Sequence, residues 1–437
     1  YLSDGLSENL IDRLSQLPGV KVVARSSSFK YKGIEVDPAE AAKSLGIEGL
    51  VMGRVVQRGD DLQVRVELVD ARDGTQVWGE KYSRKTADIQ EVQEEIARTV
   101  AEKLRLRLSG AQEQQLTRHA TQNPEAYQLY LNGLFHRSKG TVERARRALD
   151  YYNDAVALDP NFALAWAGVA DAYFGLAGNS MLDPKDALPK AKAAAYRALE
   201  LDQTMADAHS LLAAIQQDEW EWDEAERGHR RAVELNPNQA EAHHRYARYL
   251  SVMGRFTEAL AEVRQAQELD PLRTSLRLRE GIVLYFARRY DEAIEKLQNV
   301  IELEPDRGLA RICLGYTYDA KGMHEQAITE YQKTISIEPG LRNAHIYLGY
   351  ALAKSGRRSE ALAILKKIKN TKEYVSPTEL AALYIGLGDI EEVFALFERA
   401  YAEHDLQMQY LKVVPYFDSV RSEPRFQEIL RRIGLHQ

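Results

Sequence analysis

The sequence predicts an α+β amino-terminal domain followed by an all-α solenoid, a right-handed superhelix of helical hairpins. Two observations carry this. From residue 206 onward, proline stands at Pro237, Pro271, Pro305 and Pro339, and alanine at Ala225, Ala259, Ala293, Ala327 and Ala361, with one constant spacing in both series. Earlier in the chain, Leu62, Val64, Val66 and Leu68 alternate with Gln63, Arg65 and Glu67, the period of a strand with one buried face. The common spacing of the prolines and alanines, about 34 residues, is the length of one helix–turn–helix unit, which cannot bury its apolar face alone and must stack on copies of itself.

The amino-terminal elements are taken in order. Leu6, Leu10, Leu14 and Leu17 share one helical face, and Pro18-Gly19 ends that helix. Residues 20–24 read as a short buried strand, and residues 38–45 as a second short helix stopped by Gly46. Strands are expected over residues 50–58, 62–71 and 76–83, joined at Gly59-Asp60-Asp61 and Asp73-Gly74, residue types that fit tight turns. The meander has one solvated face. Ile89, Val92, Ile96, Val100, Leu104 and Leu108 mark a long amphipathic helix that covers the other. These elements place a domain boundary at residues 1–109, a length that can fold independently. Residues 110–123 are polar and glutamine-rich, and read as a continuation of the helix followed by a short joint.

Within the repeat over residues 274–305, a first helix spans about residues 275–287 and breaks at Arg288-Arg289. A second helix begins at Asp291, whose carboxylate is placed to cap the free amides of the first turn; Asp223, Thr257 and Ser359 hold the same place elsewhere. Ala213, Ala247, Gly281, Gly315 and Gly349 on the first helices, and the periodic alanines on the second, let the two helices approach closely. Proline after each second helix fixes the turn into the next unit. Residues 124–407 hold about eight such units: two with insertions (about three residues in the first and about nine, residues 179–187, in the second), five regular ones, and a divergent one around Tyr384, Gly388, Phe397 and Ala400. After Leu411 the period is lost, so residues 408–437 form a carboxy-terminal capping segment with a final helix over residues 425–433.

Trp166, Ala170 and Tyr173, then Gly315, Tyr318, Gly322, Ala327, Tyr331 and Pro339, match the tetratricopeptide repeat (TPR) position by position, so the array resembles a TPR solenoid. Asp4-Gly5-Leu6-Ser7-Glu8-Asn9-Leu10-Ile11, residues 22–29, Leu68-Val69-Asp70-Ala71 and Val77-Trp78 resemble the TolB amino-terminal-like domain. The pairing of these families implies the sensory or docking portion of a larger bacterial signalling protein, downstream of a winged helix, cyclase or kinase. It also implies an extracytoplasmic, periplasmic location, with the cytoplasm as the alternative. Such domains usually carry a further apolar strand before the aspartate-glycine helix. The chain starts inside that region at Tyr1 without methionine, so it reads as a piece of a longer protein whose sheet lacks an edge strand or takes one from elsewhere.

Chemistry is excluded more readily than it is found. His324-Glu325 has no second histidine four residues on, and Gly386-Leu387-Gly388 lacks a third glycine and a preceding strand. His243 and His244 are adjacent, about 100° apart on a helix, and cannot share a metal without distortion. The lone Cys313 excludes an internal disulfide. No catalytic residue, cofactor or metal site is therefore expected. The formal net charge of −7 argues against a general nucleic-acid surface. No apolar run reaches the ~20 residues of a membrane span.

In TPR hairpins the first helix lines the concave side. Counting from each unit's start, the inward places hold His244, Arg245, Arg248 and Arg279, then Tyr285, Tyr316, Asp319, Asn343, Tyr347 and Tyr350, with Glu241, Ile282, Ile312 and Ile346 between them. The groove is basic near its middle and aromatic beyond, which fits an acidic peptide or protein partner. A clamp for a carboxylate-terminated peptide needs a Lys/Asn pattern, and only Asn343 fits it. Two readings stand beside the scaffold: a self-assembling structural protein that forms homo-oligomers through solenoid ends or an exposed sheet edge, and a nucleic-acid regulator that would need a further domain upstream.

Overall fold

The computed structural model describes every residue except 18, 35–36, 105, 107, 111–118, 138–140, 179–180, 372–373 and 437; most of the joint expected at 110–123 lies outside the described residues. The described chain forms two compact units. One comprises Tyr1–Ile215, Glu224–His243 and Ala266–Leu272, the other Gln216–Asp223, His244–Gln265 and Arg273–Gln437.

The first unit opens with helix α1 (Leu2–Ser15), whose Leu2, Leu6, Leu10 and Leu14 are buried. Helix α2 (Pro38–Leu45) is capped by Asp37, which accepts from the Ala39 amide at 3.0 Å, and ends at Gly46 with φ of 66°. Strands β1 (Gly49–Arg58), β2 (Asp61–Asp70) and β3 (Gln76–Lys85) form an antiparallel sheet in the order β1-β2-β3. Val55 pairs with Val64 and Val64 with Tyr82, which puts Leu62, Val64 and Val66 on the buried face. Helix α3 (Ile89–Lys103) lies on that face through Ile89, Val92, Ile96 and Val100. Two expectations fail here. Helix α3 stops at Lys103, leaving Leu104 40% exposed. Residues 20–24 join no strand: the Ala24 amide bonds to the Leu269 carbonyl at 2.8 Å, and Val22 packs on the core from outside the sheet. A short apolar run is equally served by side-chain burial without a ladder, and periodicity cannot separate the two.

Helix α1 also packs on the first repeat helix, Pro124–Arg137. The approach is close enough that a Cβ on Gly5 would collide with the Leu131 side chain. Arg137 spans the contact, donating to Glu8 at 2.6 Å and Asp171 at 3.0 Å.

The hairpins are Pro124–Arg137 with Val142–Leu158, Ala163–Gly178 with Pro184–Leu201, Ala206–Asp218 with Trp222–Leu235, Ala240–Val252 with Phe256–Leu269, Thr274–Phe286 with Tyr290–Leu303, Gly308–Ala320 with His324–Ile337, Arg342–Lys354 with Arg358–Lys369, and Pro377–Leu387 with Ile390–Glu403. The periodic alanines Ala225, Ala259, Ala293, Ala327 and Ala361 are each 0% exposed, so they sit where two helices leave room for one methyl group. A Cβ on Gly315 would run into the fully buried ring of Tyr331.

Capping at Asp291 and Ser359 is not observed. Their helices start at Tyr290 and Arg358, the preceding residue makes no side-chain cap bond, and Asp291 is instead held by Lys321. The first turn is tied differently. Arg289 grips Glu292 at 2.6–2.7 Å and Arg357 grips Glu360 at 2.7–2.8 Å, each bidentately, and Arg255 repeats the pattern with Glu258.

The turn between the two helices of a hairpin needs a left-handed residue, which glycine adopts without strain. Gly254, Gly322 and Gly356 fill it with φ of 75–86°. At the equivalent place in two other units stand Trp220 with φ of 64° and Arg288 with φ of 62°, a conformation that costs a side-chain-bearing residue about 1–2 kcal/mol. Both side chains are anchored to segments far along the chain. Trp220 stacks on His404 with centroids 3.9 Å apart, and Arg288 donates to the Val413 carbonyl at 2.6 Å and to Asp418 at 2.7 Å.

Beyond the last hairpin, the 3₁₀ turns Leu406–Tyr410 and Pro415–Val420 lead to the helix Pro424–Arg432. Phe417 and Phe426 close edge-on against Phe397 at 5.1 and 5.7 Å, which seals the final hairpin. Among the described residues no helix is long and apolar enough to cross a membrane.

Candidate partner-binding face

All ten groove residues expected from the sequence lie in the second unit. Because successive first helices recur at the constant spacing of the array, they form columns: Arg245, Arg279, Cys313 and Tyr347 in one, Arg248, Ile282, Tyr316 and Tyr350 in the next, and Ser251, Tyr285, Asp319 and Ala353 in a third. The aromatic members come together. Tyr285 lies 4.4 Å from Tyr316, and Tyr316 meets Tyr347 edge-on at 6.1 Å. Tyr316 donates to the Cys313 sulfur at 2.8 Å. Burial pushes the Tyr285, Tyr316 and Tyr347 hydroxyls well above the ordinary phenol range and the Cys313 thiol up to about 12, so all four are neutral hydrogen-bonding groups at physiological pH.

The basic members separate into different environments. Burial opposes the charge of Arg248, but Asp218 beside it more than restores it, and Gln409 accepts from the same guanidinium at 3.3 Å. Arg245 is half-buried on the same helix. Arg279 has only a long 3.5 Å hydrogen bond to His244, and its pKa is lowered by burial. Tyr410, Arg248, Cys313 and Tyr316 also act on its charge, and among the described residues no carboxylate pairs with it. Isolated charges of this kind are uncommon in half-buried positions because removal from water is costly without a counter-charge.

Sequence reasoning missed the contribution of the carboxy-terminal segment, expected only to cap the stack. Its Tyr410 lies 5.8 Å from Phe286, and Tyr416 lies 5.9 Å from Tyr347 and 6.4 Å from Tyr350. The aromatic cluster is therefore assembled from first helices and the returning segment together. Asn343 and Tyr347 hydrogen-bond Glu379, whose pKa burial raises to about 7. Asp319, itself 7% exposed, accepts from Tyr331 at 2.9 Å and pairs with His324 at 2.8 Å. Seven tyrosines, with Asp319 among the remaining lining groups, line a half-open cavity of about 330 Å³. The one signal of this in the sequence was the Pro415-Tyr416 pair standing outside the repeat.

Residues 1–99 match the family described as HilA/YgeH-like transcriptional regulator, second domain, and residues 278–341 match the tetratricopeptide repeat family. The amino-terminal match thus carries a different description from the TolB-like resemblance, whereas the repeat resemblance holds. A putative adenylate cyclase 3 of Rhizobium meliloti (strain 1021) is 32% identical over 174 residues, which cover 39% of this chain and 29% of that protein; the chain thus spans under a third of the curated relative it matches. Among solved structures, human IFIT1, as a dimer with m7Gppp-AAAA, is similar over 78% of this chain and 76% of its own at 17% identity, with a TM-score of 0.51. YrrB, described as a TPR protein with an unusual peptide-binding site, is 23% identical over 44% of this chain and 95% of its own, with a TM-score of 0.32. The chain carries an array of tetratricopeptide repeats behind an α+β amino-terminal region.

Proposed function

We propose that the first-helix face of the second unit binds a protein segment that presents a carboxylate to Arg279 and an apolar side chain to the adjoining tyrosines. The observation that carries this reading is the half-buried Arg279 guanidinium, which has no carboxylate partner among the described residues. An incoming acid would supply the missing counter-charge, and Tyr316 and Tyr410 offer aromatic surface beside it. The reading is one of recognition rather than turnover. That the chain is the docking portion of a larger bacterial signalling protein is supported by its partial match to a protein named as an adenylate cyclase and by the regulator family matched at residues 1–99.

The test is calorimetric titration of acidic-aromatic peptides, selected on an array, against wild type and Arg279→Gln. Arg279 is the better probe than Arg248, whose loss would strand Asp218. Truncating one partner of a charged, desolvated contact weakens binding by about 2 kcal/mol or more, so the variant should bind ~30-fold more weakly. Equal binding by both proteins, or binding that maps to residues 1–103, would move the recognition site elsewhere.

A further inference from the structure

We propose that the tyrosine-lined cavity beside this face is a binding site for an organic cation, a guanidinium or alkylated ammonium group, carried either on an arginine or methylated lysine side chain or on a free small molecule. The inference goes beyond the Arg279 reading, since a free cation needs no protein partner to reveal the site.

The walls are aromatic in two orientations. Tyr316 stands at 74° to Tyr347, and Tyr350 at 56° to Tyr416. Ring faces carry partial negative charge, so rings set around one space attract a cation, most strongly where water is excluded. A volume of about 330 Å³ is at the small end for ligand sites and suits one compact group rather than a length of peptide.

The charged groups around the space decide the sign of the ligand. Asp319 is the buried one. Its column holds Ser251, Tyr285 and Ala353 at the equivalent places, so no structural rule of the repeat demands an acid there. Burial raises its pKa, which the hydrogen bonds from His324 and Tyr331 only partly offset, so a further cation would stabilise its charge. Asp418, at the edge, is already held by Arg288 and Arg421. Lys354 is exposed and also lines the cavity, and its charge opposes a cation. An anion would face Asp319 and the ring faces, both unfavourable. A neutral group of the same shape would gain burial but neither electrostatic contribution.

That contrast sets the experiment. Choline and its uncharged isostere 3,3-dimethyl-1-butanol are titrated into the full chain by calorimetry, with N-acetyl-arginine amide and N-acetyl-trimethyllysine amide as the side-chain arms. Choline or one of the amides should bind at least about tenfold more tightly than the isostere, and whichever cation binds best identifies the source. Asp319→Asn, which keeps a hydrogen-bond acceptor for Tyr331, should weaken cation binding about tenfold, and Lys354→Ala should strengthen it about threefold. Arg279→Gln should leave it unchanged, which separates this site from the acidic-peptide face. Isostere binding equal to that of the cations, no binding of any cation, or a Lys354→Ala variant that binds no better would overturn the proposal. The lysine variant alters an exposed residue, so it remains informative if Asp319→Asn unfolds.

Discussion

From one repeat of the array to the next, two kinds of position behave oppositely. On the second helix the same methyl group recurs from Ala225 to Ala361, 0% exposed at each step. On the first helix one column runs Arg245, Arg279, Cys313, Tyr347 and another Ser251, Tyr285, Asp319, Ala353, with a new chemistry at almost every position. A position that must admit a neighbouring helix at fixed distance tolerates one size of side chain, because interiors are close-packed. The first-helix columns are largely buried as well, with Ser251, Tyr285, Cys313 and Tyr347 among them, but each member meets different neighbours and so is not held to one size. The periodic positions set the helix spacing, and under the proposed function the aperiodic ones serve recognition.

The largest test of that division is Ala293→Leu. Overpacking a helix crossing should destabilise the protein by roughly 1–3 kcal/mol, read as a lowered denaturation midpoint with unchanged m-value. An unaltered midpoint would mean that the alanine column does not set the helix spacing.

A sharper test uses Glu379, on the first helix of the last hairpin. Burial raises its folded pKa to about 7 from an ordinary 4.5. The folded state therefore holds this proton more tightly than the unfolded chain. Its contribution is fully present below about pH 4.5, is lost as pH rises toward 7, and is level above that. Allowing for partial exposure, about 2 kcal/mol of pH-dependent stability should disappear in that window. Glu379→Gln should flatten the profile across it and leave the variant more stable than wild type at pH 8. A profile with the same slope in both proteins would remove Glu379 as the cause.

The smallest expected effect is at a turn. Nothing lies within 4 Å of the place where a Cβ would stand on Gly322. Gly322→Ala should thus cost only the backbone strain of a left-handed residue, about 1 kcal/mol. A larger loss in thermal unfolding would show that the turn is under packing constraint as well.

What could be read from the sequence follows the same division. The alanines, the close glycines and the β2 alternation were legible because each is a local pattern with one geometric solution. The segment at 20–24 was not, since Val22 finds its burial without a strand partner. Nor were the second-helix starts: Asp291 looked like a cap, but Arg289 and Glu292 already tie that turn. On the candidate face, the columns of arginine and tyrosine followed from the period. Their division into an Arg248 paired with a carboxylate and an Arg279 with none among the described residues did not, because Asp218 and Gln409 approach from the preceding repeat and the carboxy-terminal segment. Tyr416 and Glu379 joined the cluster by the same long-range route, which no repeat period encodes.

Trp220 and Arg288, the two side-chain-bearing residues in glycine's place at the turns, give the molecule a direction in time. The carbonyl that Arg288 holds belongs to a residue 125 positions later, and His404, on which Trp220 stacks, is also made much later. At about 5–20 residues per second of synthesis, the Arg288 turn waits roughly 6–25 s for its anchor, while Gly254, Gly322 and Gly356 can close as soon as their own hairpins emerge. A nascent chain would thus have the joints at 220 and 288 as its slack points, and an array halted before residue 404 would be preferentially open to proteases at those two turns.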